Sequence, residues 1–233
     1  MVRVANFFCF KFLIMIDSGA AVNAYCLLAC SLLTYTALAN PALADDALAN
    51  YKNGHYESAL KEYRRRARLG DAVATNNVGV MYRRGLGVEK NYERAMRWFF
   101  RAERGGLRAA GYNIGMMYLR GYGVQVEPTL AAEWFRRSAE RGDRDAQFRL
   151  GLLYFNSNGV LQDLPKAYGL FRQSAEQGLT GAQYNLGVMY ANGRGVPEND
   201  AEAVKWYRKA AEQDYANAQY NLGVMYATGR GVP

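Results

Sequence analysis

The chain is short of the residues that usually carry chemistry. Its 233 residues include one histidine and three cysteines. The cysteines, Cys9, Cys26 and Cys30, all precede residue 45, so 45–233 has none. That excludes a disulfide framework there, in whatever compartment the chain resides. The lone histidine, His55, cannot build a usual zinc site without cysteines, so no metal ligand is assigned. No Ser/His/Asp or Cys/His arrangement exists along 71–233, no catalytic residue is assigned, and the chain reads as a non-enzyme. His55 reads as a solvated turn residue.

Charge is missing from 18–44, and 1–44 holds only Arg3, Lys11 and Asp17. An apolar stretch at 20–39 is long enough to span a bilayer. Ala42-Leu43-Ala44 before Asp45-Asp46 has the form of a signal-peptide cleavage site. Residues 1–44 are therefore expected to be a signal peptide, with an uncleaved inner-membrane anchor as the alternative. A true start at Met15 and a lipid attachment at Cys30 are further readings of the same segment.

What the chain has is a 36-residue period. Ala-Thr-Asn-Asn-Val-Gly-Val-Met-Tyr at 74–82 returns in altered form at 110–118, 146–154, 182–190 and 218–226. Apolar residues fall at i, i+4 and i+8, as in Ala74, Val78, Tyr82 and Ala182, Leu186, Tyr190, which is one face of an α-helix. Gly79, Gly115, Gly151, Gly187 and Gly223 recur inside that helix. Glycine there costs ~1 kcal/mol against alanine, so five identical placements predict close approach of a neighbouring helix. A Gly-x-Gly-Val loop follows, as at 85–88, 121–124, 193–196 and 229–232; the third unit reads Asn156-Ser157-Asn158-Gly159-Val160, with asparagine expected to hold the turn. These loops follow a helix, no segment reads as a strand, and the P-loop lysine is absent, so they are turns and not phosphate cradles.

A second helix is predicted after each loop. Asn199 with Glu202 is a capping pattern, and Pro128 and Pro165 suit a first turn. Its stripe is Ala95 with Trp98 and Phe99, Ala131 with Trp134 and Phe135, Ala203 with Trp206 and Tyr207, and a smaller Ala167, Leu170, Phe171 in the third unit. One hairpin cannot bury both apolar faces, so stacked neighbours are expected to share a continuous aromatic core. The acidic run Glu127, Glu133, Glu140, Asp143 and Asp145 alternates with Arg136, Arg137, Arg141 and Arg144, which reads as a salt-laced, solvated face and not as a carboxylate pair for catalysis.

The motif Ala-x-x-x-apolar-Gly-x-Met/Leu-Tyr, then Gly-x-Gly-Val, then Ala-x-x-Trp/Leu-aromatic resembles the Sel1-like repeat, a relative of the tetratricopeptide repeat. The resemblance implies an all-α fold, a right-handed α-solenoid of antiparallel helix pairs. The units are expected at 71–106, 107–142, 143–178, 179–214 and a half unit at 215–233. Asn53 to Leu60 with Glu62-Tyr63 resembles a shorter tetratricopeptide-type unit, giving an N-terminal cap over 45–70. The half unit leaves Leu222, Met225 and Tyr226 without a partner helix, so the expectation is a truncated array, an end covered by another chain or copy through self-association, or a frayed terminal helix.

The resemblance also implies that first helices line a concave groove. On the line facing away from the core stand Asn77, Asn113, Arg149, Asn185 and Asn221, with Arg84 and Arg120 a turn or two on and Tyr112, Tyr184 and Tyr220 alongside. The amides can bond a peptide backbone and the arginines its carboxylates. The competing reading is that the asparagines hold the stack. The expected partner is a protein or peptide bound by an envelope scaffold. Alternatives are a cell-wall-polymer enzyme or enzyme accessory, and a secreted effector binding a host protein. Export to the periplasm or medium is expected, and no cofactor is called for. Without residues 1–44 the chain has 27 basic and 20 acidic groups, net +7. This suits an anionic envelope component, whereas an exported protein rarely meets nucleic acid.

Overall fold

A computed structural model of the chain describes residues 41–231, and these contain helices and no strand. The signal segment and Cys9, Cys26 and Cys30 lie outside the described residues, apart from 41–44. Helix α1 spans Pro41–Lys52 and so runs through the expected cleavage point after Ala44. Then follow α2 (Tyr56–Arg68), α3 (Ala72–Arg84), α4 (Tyr92–Arg104), α5 (Arg108–Arg120), α6 (Pro128–Glu140), α7 (Arg144–Asn156), α8 (Leu164–Glu176), α9 (Thr180–Ala191), α10 (Asp200–Ala211) and α11 (Ala216–Thr228). Successive helices pack on one another, and α5 also touches α7, the first helix of the next unit. This is a right-handed α-solenoid of antiparallel pairs, and no described helix is long and apolar enough to cross a membrane.

The recurring helix glycines are notches for aromatic rings. A Cβ added to Gly79, Gly115, Gly151 or Gly187 would lie 2.5 to 2.7 Å from a ring atom of Phe99, Phe135, Phe171 or Tyr207 respectively. Each ring comes from the second helix of the same hairpin. Phe99, Phe135 and Phe171 are fully buried; burying such a ring is worth about 2–3 kcal/mol, more than the glycine costs. Trp98 and Trp134 beside them are half-buried and Trp206 is buried, with Arg101, Arg137 and Lys209 placed over Trp98, Trp134 and Trp206. The buried residues form a row of four clusters, each packed on the next. Tyr118, Tyr154 and Tyr190 bridge adjoining clusters.

Caps fix the helix starts. Asp71, Asn91, Asp143, Asp163 and Asn199 each accept from the backbone N–H three residues on, at 2.8 to 3.0 Å. Asp143 departs from the solvated face expected for it: its duty at the start of α7 turns it inward, it is buried, and desolvation raises its pKa above the usual carboxylate value. In the third loop the left-handed residue that ends α7 is Ser157, with φ 57°, and neither flanking asparagine takes that place. Ser157 stands where Gly85, Gly121 and Gly229 stand in other units, and its hydroxyl reaches the Val160 carbonyl at 3.3 Å.

The joint between units is equally regular. The second loop glycine seats on the first turn of the preceding unit's second helix: Gly87 on Tyr56, Gly123 on Tyr92, Gly159 on Pro128, Gly195 on Leu164 and Gly231 on Asp200. Helix α2 receives Gly87 as a second helix would, so α1 and α2 form the first hairpin of the stack. Glutamines staple the middle joints. Gln147 donates to the Ala139 carbonyl and accepts from Gln177, and Gln183 repeats both bonds with Ala175 and Gln213. Several arginines clamp backbone as well: Arg101 donates to the Ala67 carbonyl, Arg141 to Gly106 and Arg144 to Gln177. Part of the basic excess is thus structural.

Candidate protein-binding face

The first helices α3, α5, α7, α9 and α11 carry the line singled out from the sequence. Alongside that line, Val80, Leu152 and Val188 are half-buried, Met116 is buried, and Val73 and Val224 are exposed. Among its polar members the asparagines turn inward. Asn113, expected to meet a ligand, is buried; its amide donates to the Asn76 side chain at 2.9 Å and to the Ala109 carbonyl at 3.3 Å. First helices of adjoining units pass close enough for one amide to reach the other. Asn185 donates to the Gly181 carbonyl at 2.7 Å. Burial raises the pKa values of Tyr63 and Tyr207, and the amides of Asn77 and Asn221 offset part of that rise. The asparagine register holds helices in place.

The tyrosines divide. Tyr112 and Tyr184 are half-buried and tilt against Phe135 and Tyr207 at 5.9 Å. Tyr220 is 73% exposed, on the last helix. Arg84 is exposed, with Nη1 3.4 Å from the Tyr51 hydroxyl.

Arg120 and Arg149 do come together. They line one cavity of about 240 Å³ between α5 and α7, with Leu119, Leu152, Leu153, Asn156 and Asn158. Leu153 is buried and Leu119 and Leu152 half-buried, while Arg120, Asn156 and Asn158 are exposed. The lining has an apolar base and a polar mouth. It contains no carboxylate, and neither arginine forms an ion pair among the described residues.

The cavity has a cause in the repeat. The last turn of each first helix meets the loop of the following unit 39 residues on, as Arg230 shows by donating to the Ala191 carbonyl. In the same register Arg194 lies over Phe155 with its guanidinium carbon 4.0 Å from the ring centroid. That joint is filled by a long cation and an aromatic ring. Between α5 and the third loop the pair is Leu119 and Asn158, which is too small, and space remains. Sequence reading missed Asn156, Asn158 and the leucines; the signal was there in the third unit's departures, at Arg149 for asparagine and Asn156 for Arg84 and Arg120.

Arg83 was missed too. It stands where other units have Leu119, Phe155 and Ala191. Burial and then the adjacent Arg84 lower its pKa, and its buried Nε has no hydrogen-bond partner among the described residues. A broader depression of about 910 Å³ lies over the first hairpin. Lys61, Arg64, Arg65 and Arg68 line it with Asp46, Glu57 and Glu62, and Arg65 is bonded to Glu62 at 2.6 Å.

Comparison with known proteins follows the same repeat. The Sel1 repeat model matches residues 72–107, 109–143, 144–179, 180–215 and 216–233. A Sel1 repeat protein from Oxalobacter formigenes is 32% identical, with TM-score 0.72, over 80% of this chain and 77% of that one. c5321, a protective antigen of uropathogenic Escherichia coli strains with an SLR fold, is 34% identical at TM-score 0.72. The match covers 85% of this chain and 45% of c5321. The immunity protein Pa5087 from Pseudomonas aeruginosa, 21% identical at TM-score 0.52 over 74% of this chain and 67% of its own, shares the fold. No curated protein matches the chain. Sel1 repeat proteins are in general non-catalytic scaffolds that bind other proteins. Five consecutive matched units, and a relative about one-third identical that spans most of both chains, place this protein in the Sel1 repeat family.

Proposed function

We propose that this chain is a non-enzymatic adaptor of the bacterial cell envelope, exported by its N-terminal segment, which holds a protein or peptide against the first-helix face. The observation that carries this is the convergence of Arg120 and Arg149, with no acidic partner, on an apolar-based cavity of that face. Unmatched guanidinium groups beside apolar surface are suited to carboxylates of a polypeptide. The half-buried row Val80, Leu152 and Val188 offers contact along the same face. Membership in a family of protein-binding scaffolds supports the reading, and so does the charge-free stretch ahead of Asp45-Asp46. A host protein as the partner would fit the same face.

Site-specific photo-crosslinking tests it. Benzoylphenylalanine in place of Val188, on the first-helix face, should capture a discrete partner from envelope and supernatant fractions. The same group in place of Arg97, exposed on α4, should not. Equal capture from both places would overturn the groove, and finding the chain only in the cytoplasm would overturn export.

A further inference from the structure

We infer that the cavity between α5 and α7 is a pocket for the free C-terminal residue of a peptide, its carboxylate held by Arg120 and Arg149 and its apolar side chain by Leu119, Leu152 and Leu153. The inference rests on the groove reading above and names the group that the groove takes. Charge and shape both enter. Two guanidinium groups and two amides, Asn156 and Asn158, surround the cavity with donors, and no carboxylate is among its lining residues. Arginine meets a carboxylate through two parallel N–H bonds, and such charge-assisted bonds are about twice as strong as neutral ones. The asparagine amides can donate to the same oxygens or to the last peptide carbonyl.

The base argues for a chain end over an internal acidic side chain. An aspartate or glutamate brings only methylenes to three leucines. A C-terminal leucine or phenylalanine brings a carboxylate and an apolar side chain on one carbon, matching a mouth of donors above an apolar base. The size agrees: about 240 Å³ is below the ~300–1,000 Å³ of drug-sized sites and suits a single residue. The repeat does not make this pocket at every joint, because Arg194 over Phe155 closes the equivalent place one unit on. Capture of a terminal carboxylate is an established mode of peptide recognition, so the proposal asks for no unusual chemistry.

The test uses the full chain and three small probes: N-acetyl-L-leucine, its C-terminal amide, and N-acetyl-L-aspartic acid α-amide. The side-chain amide resonances of Asn156 and Asn158 report binding. N-acetyl-L-leucine should shift them saturably in the millimolar range, and the leucine amide should not. Arg120→Gln and Arg149→Gln should each weaken the interaction by about 10-fold or more, as expected for hydrogen bonds to charged groups. Their thermal melts should match the parent. If either variant fails to fold, the contrast between leucine acid and leucine amide on the parent chain decides alone. Equal shifts from acid and amide, or no saturable shift, would overturn the pocket while leaving the scaffold reading to the crosslinking result. Tighter binding of the aspartic probe than of N-acetyl-L-leucine would overturn the chain-end assignment in favour of an internal acidic side chain.

Discussion

Helices α9 and α11 have almost the same sequence, sharing Ala-Gln-Tyr-Asn-Leu-Gly-Val-Met-Tyr at 182–190 and 218–226, yet they live in different surroundings. In α9 the notch at Gly187 is filled by Tyr207, and Tyr184 and Tyr190 are half-buried. In α11 nothing lies within 4 Å of a Cβ added at Gly223, and Tyr220, Val224 and Tyr226 are exposed. The same residues are core in one helix and surface in the other. Burial in a repeat array belongs to the neighbour as much as to the sequence. The helical state of α11 survives because its own backbone bonds, its Gly229 cap and its packing on α10 remain.

Substitution at the two notches breaks the comparison most directly. Gly187→Ala would force a Cβ to 2.5 Å from the Tyr207 ring. Overpacking of this kind costs about 1–3 kcal/mol, and urea unfolding followed by far-UV circular dichroism should show that loss. Gly223→Ala should act with the opposite sign. With open space around it, alanine only removes backbone freedom from the unfolded helix, a gain of about 0.5–1 kcal/mol. Hydrogen exchange of the α11 amides should slow by about 2- to 5-fold. A loss at both positions would mean that the α11 face is covered in solution.

A smaller effect separates α7 from the other capped helices. Burial raises the pKa of Asp143, so the native state binds its proton more tightly than the unfolded chain does. That contribution favours the fold below the ordinary carboxylate pKa and is lost as pH rises through the raised, folded value. Asn caps a helix about as well as Asp. Asp143→Asn should therefore keep the cap and remove a contribution that declines with rising pH, so the melting temperature should climb more steeply with pH through the carboxylate range, with a change below about 1 kcal/mol at neutral pH. An unchanged slope would show that the carboxylate is solvated.

Much of the hairpin was legible because its signals are local. The i, i+4, i+8 stripe, the cap at Asn199 and the prolines at 128 and 165 each report on a few adjoining residues. The notch glycines were legible as a packing demand, though the ring that fills them comes from the second helix some twenty residues on. The site was less legible because its determinants lie between units. Asn113 bonds a residue 37 positions away, and the cavity needs Leu119 and Asn158 at once. Aligning units with each other compares equivalent positions, whereas the joint pairs inequivalent ones. Arg120 and Arg149 were found on the outward line, but nothing in that line said they would share a cavity when Asn77 and Asn113 would not.

The seating of each loop on the preceding unit also bears on how such a chain can change over time. Gly87, Gly159 and Gly231 meet the backbone of the helix start, and the residues offering that backbone are as different as Tyr56, Pro128 and Asp200. That seat is made to the main chain and tolerates different residues, whereas the glutamine staples and Arg194 over Phe155 ask for matching side chains. Duplication or loss of one 36-residue block therefore preserves the loop seat, and only the side-chain pairs across the new seam have to be matched again. A Leu119–Asn158 gap can then move, multiply or vanish as a block, carrying its specificity with it.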